Sequence, residues 1–506
     1  MVQKHIERHQ AERNLWTVAD SLADTSVLDP AVRVVPSTPT AARDSLLEKW
    51  RSKIQHNAAL DRTLVSFQAN RDRPFYGWFK YREGFSEPLV TYLLQKLHPE
   101  PATLLDPFAG GGSALFGASA LGWQTKGIEV LPVGIHAMQA RIVAGRVNPD
   151  LFWAALAQLH SANFGDHYSE EHAFRHIAIT SGAFPASDER ELVGYISYCN
   201  QAIEDENVRA LLLYAAFCVL EEISYTRKDG QYLRWDARSG RSQGKKPFNK
   251  GRILTFSEAL DDKLRQMATD LCVGPTQGYL FQDSHLQAGT TEPELHEGSC
   301  LDILPTMENQ SVDFVLTSPP YANRYDYTRT YALELVYLGC THEQVKQLRQ
   351  AMLSCTVENR DKQAHLKAYY AALHRAEEFR VIDRTFQQQT ALQEVLDILD
   401  GYRREGKLNN SNISRLVRNY FYEMCFVVYE LARLLRPGGT IAMVNDNVRY
   451  AGEEVPVDLI LSDFASSFGL HVKHIWTLGR GKGNSSQQMG NHGRSELRKC
   501  VYVWEK

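Results

Sequence analysis

The sequence has no long hydrophobic segment. Its longest apolar run, from Ala210 to Leu220, is far short of the roughly 20 residues that span a membrane. The first residues contain no apolar stretch of the kind found in a secretory signal. We therefore expect a soluble cytoplasmic protein without a membrane partner.

Cysteine pairs, metal motifs and an excess of basic charge are also absent. The eight cysteines form no Cys-x-x-Cys pair, which argues against a zinc ribbon, a dithiol redox site and a disulfide framework. The seventeen histidines include no His-Glu-x-x-His motif, so we expect no metal site. The net charge is −4, so any affinity for nucleic acid must come from a local basic patch.

What the sequence does contain is an alternation of strand and helix patterns. Between Ala102 and Ile135 a short apolar run is followed by a Gly-rich turn, a helix of small residues and a second strand. Such alternation predicts a parallel-type sheet with helices on both faces. Two β-rich runs near the end of the chain predict a hairpin at one edge. We therefore predict a doubly wound α/β core interrupted by two largely helical insertions.

The Gly-rich turn has the features of a nucleoside-binding site. Asp106 ends a predicted strand, and Gly110 to Gly112 lead into a helix. Ligands of open α/β sheets bind at this edge, where glycines let the backbone approach the ligand closely. Glu129 ends the next strand, near the offset at which an acid accepts hydrogen bonds from ribose hydroxyls. Leu115 replaces the third glycine of a dinucleotide motif, so the turn favours a positively charged nucleoside such as S-adenosylmethionine. A turn without a ligand is the alternative.

A second motif, Thr317-Ser318-Pro319-Pro320-Tyr321, directly follows an apolar run that predicts a strand. Consecutive prolines fix φ and leave carbonyls without an internal partner. The protons of an exocyclic amine would donate to the Ser318 hydroxyl and the Pro319 carbonyl, which would aim the nitrogen lone pair at a methyl donor. Tyr321 would stack on a base swung out of the duplex. The alternative is a proline turn that caps a strand.

With both motifs in view, the chain resembles the amino-methylating DNA methyltransferases, which make N4-methylcytosine or N6-methyladenine from S-adenosylmethionine. The Gly-rich turn looks like the cofactor motif of this family, and Ser318 to Tyr321 look like its catalytic tetrad. Segments 79–81 and 84–86 resemble its N-terminal cofactor motif, and segment 298–302 resembles the segment in which an acid contacts adenine. The resemblance implies a catalytic role for Ser318, Pro319, Pro320 and Tyr321. It implies cofactor contacts by Lys80, Phe85, Ser86, Asp106, Pro107, Phe108, Gly110, Gly112, Glu129, Asp302 and Thr317.

The resemblance also implies a fold and a setting. The fold would be the class I, Rossmann-like methyltransferase sheet, mainly parallel with a C-terminal antiparallel hairpin. The substrate would be double-stranded DNA of a bacterium or archaeon, in a restriction–modification system whose separate endonuclease cuts unmethylated sites. The enzyme would be cytoplasmic, and nucleoid-associated when bound to DNA.

The target base is expected to be cytosine, methylated at N4. In this family, a serine in the first position of the tetrad indicates methylation at cytosine N4, whereas Asp or Asn indicates methylation at adenine N6. Adenine N6, an RNA base and a catalytically silent DNA-binding subunit are the alternatives. Methylation of cytosine at carbon 5 is disfavoured because none of the nineteen prolines precedes a cysteine, which would be the nucleophile.

Six units follow from these assignments. They are an N-terminal helical and polar extension (1–70), the cofactor half of the core (71–150), an inserted domain that is the candidate for target recognition (151–293), the catalytic strand and tetrad (294–340), a helical insertion (341–410) and the C-terminal strands with their hairpin (411–506).

Two segments are candidates for nucleic-acid binding. Residues 225–252 carry nine basic side chains against two acidic ones, with aromatic residues interleaved. The candidates there are Arg227, Lys228, Tyr232, Arg234, Trp235, Arg238 and Arg241. Lys482 and Arg494 belong to a second, Gly-rich segment, which is no phosphate loop because Lys482 is followed by glycine. The alternatives are a solvated basic loop and a flexible hairpin loop. Residues 323–329 and 445–447 either contact substrate or cap local structure.

Overall fold

The computed structural model describes residues 40–82, 84–229, 232–241, 247–273, 291–479 and 497–506. The strands are β1 (Ile54–His56), β2 (Thr103–Asp106), β3 (Gln124–Glu129), β4 (Thr226–Asp229), β5 (Tyr232–Trp235), β6 (Glu294–Glu297), β7 (Val312–Thr317), β8 (Leu435–Asp446), β9 (Val448–Tyr450), β10 (Glu453–Val455), β11 (His471–Thr477) and β12 (Lys499–Glu505). The α-helices are α1 (Ala41–Trp50), α2 (Glu87–Leu97), α3 (Ser113–Ser119), α4 (Pro132–Ala144), α5 (Pro149–Leu159), α6 (Ala186–Ala202), α7 (Glu206–Cys218), α8 (Leu220–Ile223), α9 (Phe256–Val273), α10 (Cys300–Ile303), α11 (Tyr327–Thr330), α12 (Ala332–Tyr337), α13 (His342–Ala351), α14 (Gln363–Ala372), α15 (Ala376–Gln388), α16 (Thr390–Arg404), α17 (Ile413–Leu434) and α18 (Val457–Ser467).

Eight of the described strands form one mixed sheet in the order β1-β11-β12-β8-β7-β2-β3-β6. Neighbouring strands run parallel except at β12, which is antiparallel to both β11 and β8. Strand β7 buries both of its faces. In β7, Phe314 and Leu316 pack into one core cluster and Val315 packs into another, on the opposite face. This arrangement confirms the predicted Rossmann-like sheet with a C-terminal antiparallel hairpin.

The edge beside the hairpin differs from the prediction. The three residues of β1 pair in parallel with β11, so the hairpin lies one strand inside the edge of the sheet. A run of three residues is too short to show a period of two, which is why the sequence pattern does not reveal it. Strand β8 begins at Leu435, directly after α17.

The two insertions pack on different parts of the core. Apolar side chains of α14, α15 and α16 share a hydrophobic cluster with α17 and α18 on one face of the sheet. Helices α5, α6, α7 and α9 share another cluster with α4 and α12. The predicted helical character of 151–293 is interrupted by the two-stranded sheet of β4 and β5. Among the helices of the described residues, none combines the length and hydropathy that a bilayer span requires.

Candidate active site

A cleft opens at the carboxyl ends of β2 and β7. The chain passes from β2 outward through β3 and β6, and then returns to β7 on the other side of β2. Open α/β sheets bind ligands at such switch points. The cleft contains about 1100 Å³ of empty space, part of it open to solvent. Its walls include the predicted site residues Phe85, Asp106, Pro107, Phe108, Gly110, Glu129, Ser318 and Pro320.

Asp106 and Thr317 connect the two strands that flank the switch point. The Thr317 hydroxyl donates a hydrogen bond of 2.6 Å to Asp106 Oδ1, which also accepts one of 3.0 Å from the backbone N–H of Phe108. Burial raises the pKa of Asp106 to about 7, although both hydrogen bonds oppose this shift. Thr317 is itself fully buried and does not line the cleft, so it positions the Asp106 carboxyl.

Glu129, at the end of β3, holds the Gly-rich turn in place. Its Oε2 accepts a hydrogen bond of 2.7 Å from Gly110 N–H, and its Oε1 accepts one of 2.7 Å from Leu131 N–H. Burial raises the pKa of Glu129 to about 7, and these backbone hydrogen bonds oppose the shift. Each carboxylate oxygen has a second lone pair, so Glu129 can accept further hydrogen bonds from a ligand in the cleft.

The glycines of the turn are required by close packing and by backbone conformation. Gly110 and Gly112 have φ values of +55° and +79°, which favour glycine. A Cβ atom on Gly110 would lie 3.0 Å from the ring of Tyr81, which stacks on Tyr331 with ring centroids 5.2 Å apart. The predicted N-terminal cofactor motif therefore packs directly on the turn.

The tetrad begins where β7 ends. Ser318 is partly exposed, and its hydroxyl donates a hydrogen bond of 3.3 Å to the Tyr321 hydroxyl. No described residue donates a hydrogen bond to the Pro319 carbonyl. Two oxygen acceptors, on Ser318 and Pro319, thus follow each other along the chain. Of the tetrad, Ser318 and Pro320 line the cleft, whereas the buried Pro319 and the partly exposed Tyr321 do not. The Tyr450 hydroxyl donates to the Ala322 carbonyl and holds the backbone that follows the tetrad.

Other predicted cofactor residues do not line the cleft. Asp302 is 47% exposed, and its carboxylate lies 3.0 Å from His365 Nε2 on α14, because the short helix α10 directs it away from the cleft. Ser299 and Cys300 of the same segment line the cleft instead. Lys80 is exposed outside the cleft. Ser86 is buried, and its hydroxyl donates to the Leu64 carbonyl over 2.8 Å.

Sequence reasoning missed part of the cleft wall. Phe67, Asn70, Phe75 and Tyr76 line the cleft, although Phe67 and Asn70 fall within the extension to which no site residue was assigned. The amide of Asn70 donates to Ser113 Oγ over 3.1 Å and so ties this segment to the helix after the Gly-rich turn. The density of aromatic residues between 75 and 81 was the available signal.

Residues 323–329 and 445–447, which were expected either to contact substrate or to cap local structure, mainly organise local structure. Asp326 caps α11, since its Oδ1 accepts a hydrogen bond of 3.2 Å from Arg329 N–H, while Tyr327 reaches the cleft wall. Asn445 donates to the Tyr420 hydroxyl over 2.9 Å. Asn447 Oδ1 accepts from Asp458 N–H over 3.0 Å.

The basic segment divides into an exposed face and a buried face. In β4, Arg227 is exposed and lies opposite Arg234 of β5. Lys228 points to the other face, where it is only 4% exposed and forms ion pairs with Glu334 and, over 3.9 Å, with Glu221. The structure therefore corrects the prediction that Lys228 faces nucleic acid. The reason is the alternation of side chains along a strand, which cannot expose two consecutive residues on one face.

Two other predicted nucleic-acid residues are engaged within the protein. Arg238 forms a hydrogen bond of 2.7 Å with the Asp236 carboxylate. Arg241 donates to two backbone carbonyls, and its guanidinium lies 3.6 Å from the centroid of the Trp235 ring. The backbone of Tyr232 lies in β5. Lys482 and Arg494 lie outside the described residues.

Comparisons with known proteins identify relatives over nearly the whole chain. The chain is 43% identical over 467 residues to the type II methyltransferase M.AvaI of Nostoc sp., an alignment that covers 91% of this chain and 92% of that protein. M.AvaI of Anabaena variabilis gives the same values. The type II methyltransferase M.BsoBI of Geobacillus stearothermophilus is 38% identical over 482 residues, which is 92% of each chain. No family model matches the chain. No solved structure matches it either.

These alignments cover about nine-tenths of this chain and of each relative. Identity of 38–43% over nine-tenths of each chain establishes that this chain and these relatives belong to one family. The methyltransferase class that the two motifs indicated is confirmed, and with it S-adenosylmethionine as the methyl donor. The chain belongs to the type II methyltransferases.

Proposed function

We propose that this type II methyltransferase transfers a methyl group from S-adenosylmethionine to the N4 amine of cytosine in duplex DNA. One observation carries the proposal: Ser318 and Pro320 of the tetrad line the same cleft as Glu129 and Gly110 of the Gly-rich turn. A target base and a methyl donor held in one cleft can react by direct displacement.

The side chains of the cleft fit S-adenosylmethionine. Its sulfonium and amino groups are cationic and its ribose hydroxyls are hydrogen-bond donors, so carboxylates are suitable partners. Asp106 and Glu129 supply two, and Phe85 and Phe108 supply apolar surface for a purine ring. When bound, the cofactor supplies an electrophilic methyl group. The residues of the chain then hold it and exclude water.

Ser318 and Pro319 would orient the target amine. Because the Ser318 hydroxyl hydrogen points to Tyr321, the lone pairs of its oxygen remain available to accept an N–H of the amine. The Pro319 carbonyl would accept the second N–H. With both protons engaged, the nitrogen lone pair is less delocalised into the ring and faces the methyl group, and the surplus proton leaves to solvent.

The choice of cytosine N4 rests on the hydroxyl at the first position of the tetrad. A serine hydroxyl both accepts and donates, whereas an aspartate carboxylate only accepts. The hydrogen bond from Ser318 to Tyr321 uses the donor and links the orientation of the acceptor to the side chain that we expect to stack on the base. Adenine N6 is the alternative target.

The exposed face of the β4–β5 hairpin is the proposed DNA contact. Arg227 and Arg234 lie side by side across the two strands, and both are exposed. Such a pair suits backbone phosphates, whose contacts position a protein on duplex DNA without reading its sequence.

Analysis of the modified base tests the proposal directly. The purified protein is incubated with S-adenosylmethionine and unmodified bacterial DNA, and the DNA is digested to nucleosides for mass spectrometry. We expect N4-methylcytosine from the wild type and none from Ser318→Ala. N6-methyladenine would refute the assignment of the base while leaving the cleft and tetrad intact. Bound DNA without any modified base would refute the catalytic assignment and favour a silent binding subunit. In the restriction–modification setting, methylated DNA should resist the separate cognate endonuclease.

A further inference from the structure

Arg141 lies on the wall of the cleft without a role in the chemistry described above. It belongs to α4 and, among the described residues that line the cleft, it is the basic one. Neither the Gly-rich turn nor the tetrad includes it. Arg141 is only partly exposed, and its position on the wall requires an explanation because removing a cation from water without an anionic partner is costly.

Aromatic rings hold the guanidinium of Arg141. Its central carbon lies 3.3 Å from the centroid of the Tyr76 ring and 4.3 Å from that of the Phe116 ring. No carboxylate of the described residues forms an ion pair with Arg141, and none of them accepts a hydrogen bond from it. Stacking on rings fixes the plane of a guanidinium and leaves the N–H groups along its edge available to a ligand.

The position of Arg141 relates it to the Gly-rich turn. A Cβ atom on Gly112 would come within 2.8 Å of the Phe116 ring, so Phe116 packs directly against the turn. The arginine therefore occupies the part of the cleft next to the turn, where Asn70 and Ser113 also line the wall. All three side chains can donate hydrogen bonds.

The charges of the cleft are complementary to those of the cofactor. Asp106 and Glu129 suit its cationic and hydroxyl groups, but they would repel its one anionic group, the carboxylate of the methionine moiety. We propose that Arg141 binds this carboxylate through paired N–H···O hydrogen bonds. The inference rests on the proposed function, in that it takes the cleft as the cofactor site.

The test compares two ligands that differ only in the carboxylate. Isothermal titration calorimetry of the full-length protein, without DNA, measures the Kd of S-adenosylmethionine and of decarboxylated S-adenosylmethionine. The wild type should bind the first more tightly. Arg141→Met should weaken binding of S-adenosylmethionine by roughly tenfold to 100-fold, as expected for a lost charge-assisted pair, and should leave the Kd of the decarboxylated ligand within about a factor of three.

Two further variants serve as controls. Arg141→Lys keeps the charge but loses the planar guanidinium, so the loss of binding affinity should be smaller than in Arg141→Met and again confined to the ligand with the carboxylate. Arg190→Met removes an exposed arginine that lies 4.8 Å from the Tyr168 ring and does not line the cleft. This variant should bind both ligands as the wild type does. Circular dichroism spectra establish that each variant is folded.

The outcomes separate this inference from the proposed function. Equal weakening of both ligands by Arg141→Met would overturn the inference and leave Arg141 as a brace for Tyr76 and Phe116. Equal affinity of the wild type for both ligands would overturn it without any variant. Glu129→Gln tests the cleft itself: if neither ligand is weakened, the cleft is not the cofactor site. If Glu129→Gln weakens both ligands while Arg141→Met weakens neither, only the role of Arg141 fails.

Discussion

Replacing Lys228 with methionine should lower the free energy of unfolding by about 3–5 kcal/mol, the usual cost of removing one partner of a buried ion pair. Lys228 is 4% exposed and Glu334 is 1% exposed, so water cannot replace the lost partner. The ammonium of Lys228 also lies 4.7 Å from the Tyr331 ring centroid and 5.1 Å from that of Phe79, and methionine loses both cation–π contacts.

The loss should depend on pH, with a sign that follows from Glu334. Burial raises the pKa of Glu334, and Lys228 opposes this shift. Without Lys228, the folded variant would hold a proton on Glu334 that the unfolded chain releases. A carboxyl whose pKa is raised on folding loses stability as pH rises above its unfolded value, by about 1.4 kcal/mol for each pH unit until the folded pKa is reached. The variant should therefore be least impaired near pH 5.

Urea denaturation followed by circular dichroism measures this effect, and the neighbouring residue is its control. Arg227 is exposed on the other face of β4, so Arg227→Met should leave the midpoint of unfolding unchanged. It should instead weaken DNA binding and reduce the slope of log K against log salt by about 1. Adding Glu334→Gln to Lys228→Met should restore part of the stability. If Lys228→Met kept the wild-type midpoint and lost DNA affinity, the reasoning from burial would be refuted.

Three further outcomes are expected. Ser318→Ala should abolish methyl transfer in a tritium-incorporation assay, while the Kd values for cofactor and for DNA change by less than about threefold. A parallel loss of cofactor binding would contradict the role of Ser318 as an acceptor for the target amine. Cofactor affinity should rise between pH 6 and pH 8, because Asp106 and Glu129 have pKa values of about 7 and their ionised carboxylates are expected to bind the cofactor more tightly. Calorimetry that shows no pH dependence would contradict this expectation. Thr317→Val should weaken cofactor binding and shift the midpoint of its pH dependence upward, since the change removes a hydrogen bond that lowers the pKa of Asp106. An unchanged midpoint would show that Thr317 acts only in packing.

The two motifs were readable from the sequence because each is local. An apolar run followed by Asp106 and glycines, or by Ser318 and two prolines, predicts a strand and a rigid turn from neighbouring residues alone. The contact between the two motifs is not local, because the hydrogen bond between Asp106 and Thr317 joins residues 211 positions apart. It exists because the chain returns to β7 beside β2.

The residues that the sequence pattern placed wrongly or did not reveal are those whose environment depends on contacts between distant segments. Lys228 counts as one more charge in a basic segment until the alternation of β4 and the position of Glu334 turn it inward. Arg141 has no motif around it, since the rings of Tyr76 and Phe116 reach it from other elements. Asp302 follows β6 closely along the chain, but α10 directs it to His365.

The amino-acid sequence by itself determined the alternation of strands and helices, the Gly-rich turn and the proline tetrad, since these depend on side-chain periodicity and backbone sterics over a few residues. The tertiary structure decided which strand ends share a cleft, which charges are buried in pairs and which line the cleft. The physical reason is that strand order and burial depend on contacts between distant segments, and these contacts set the pKa, the exposure and the partners of each charged group.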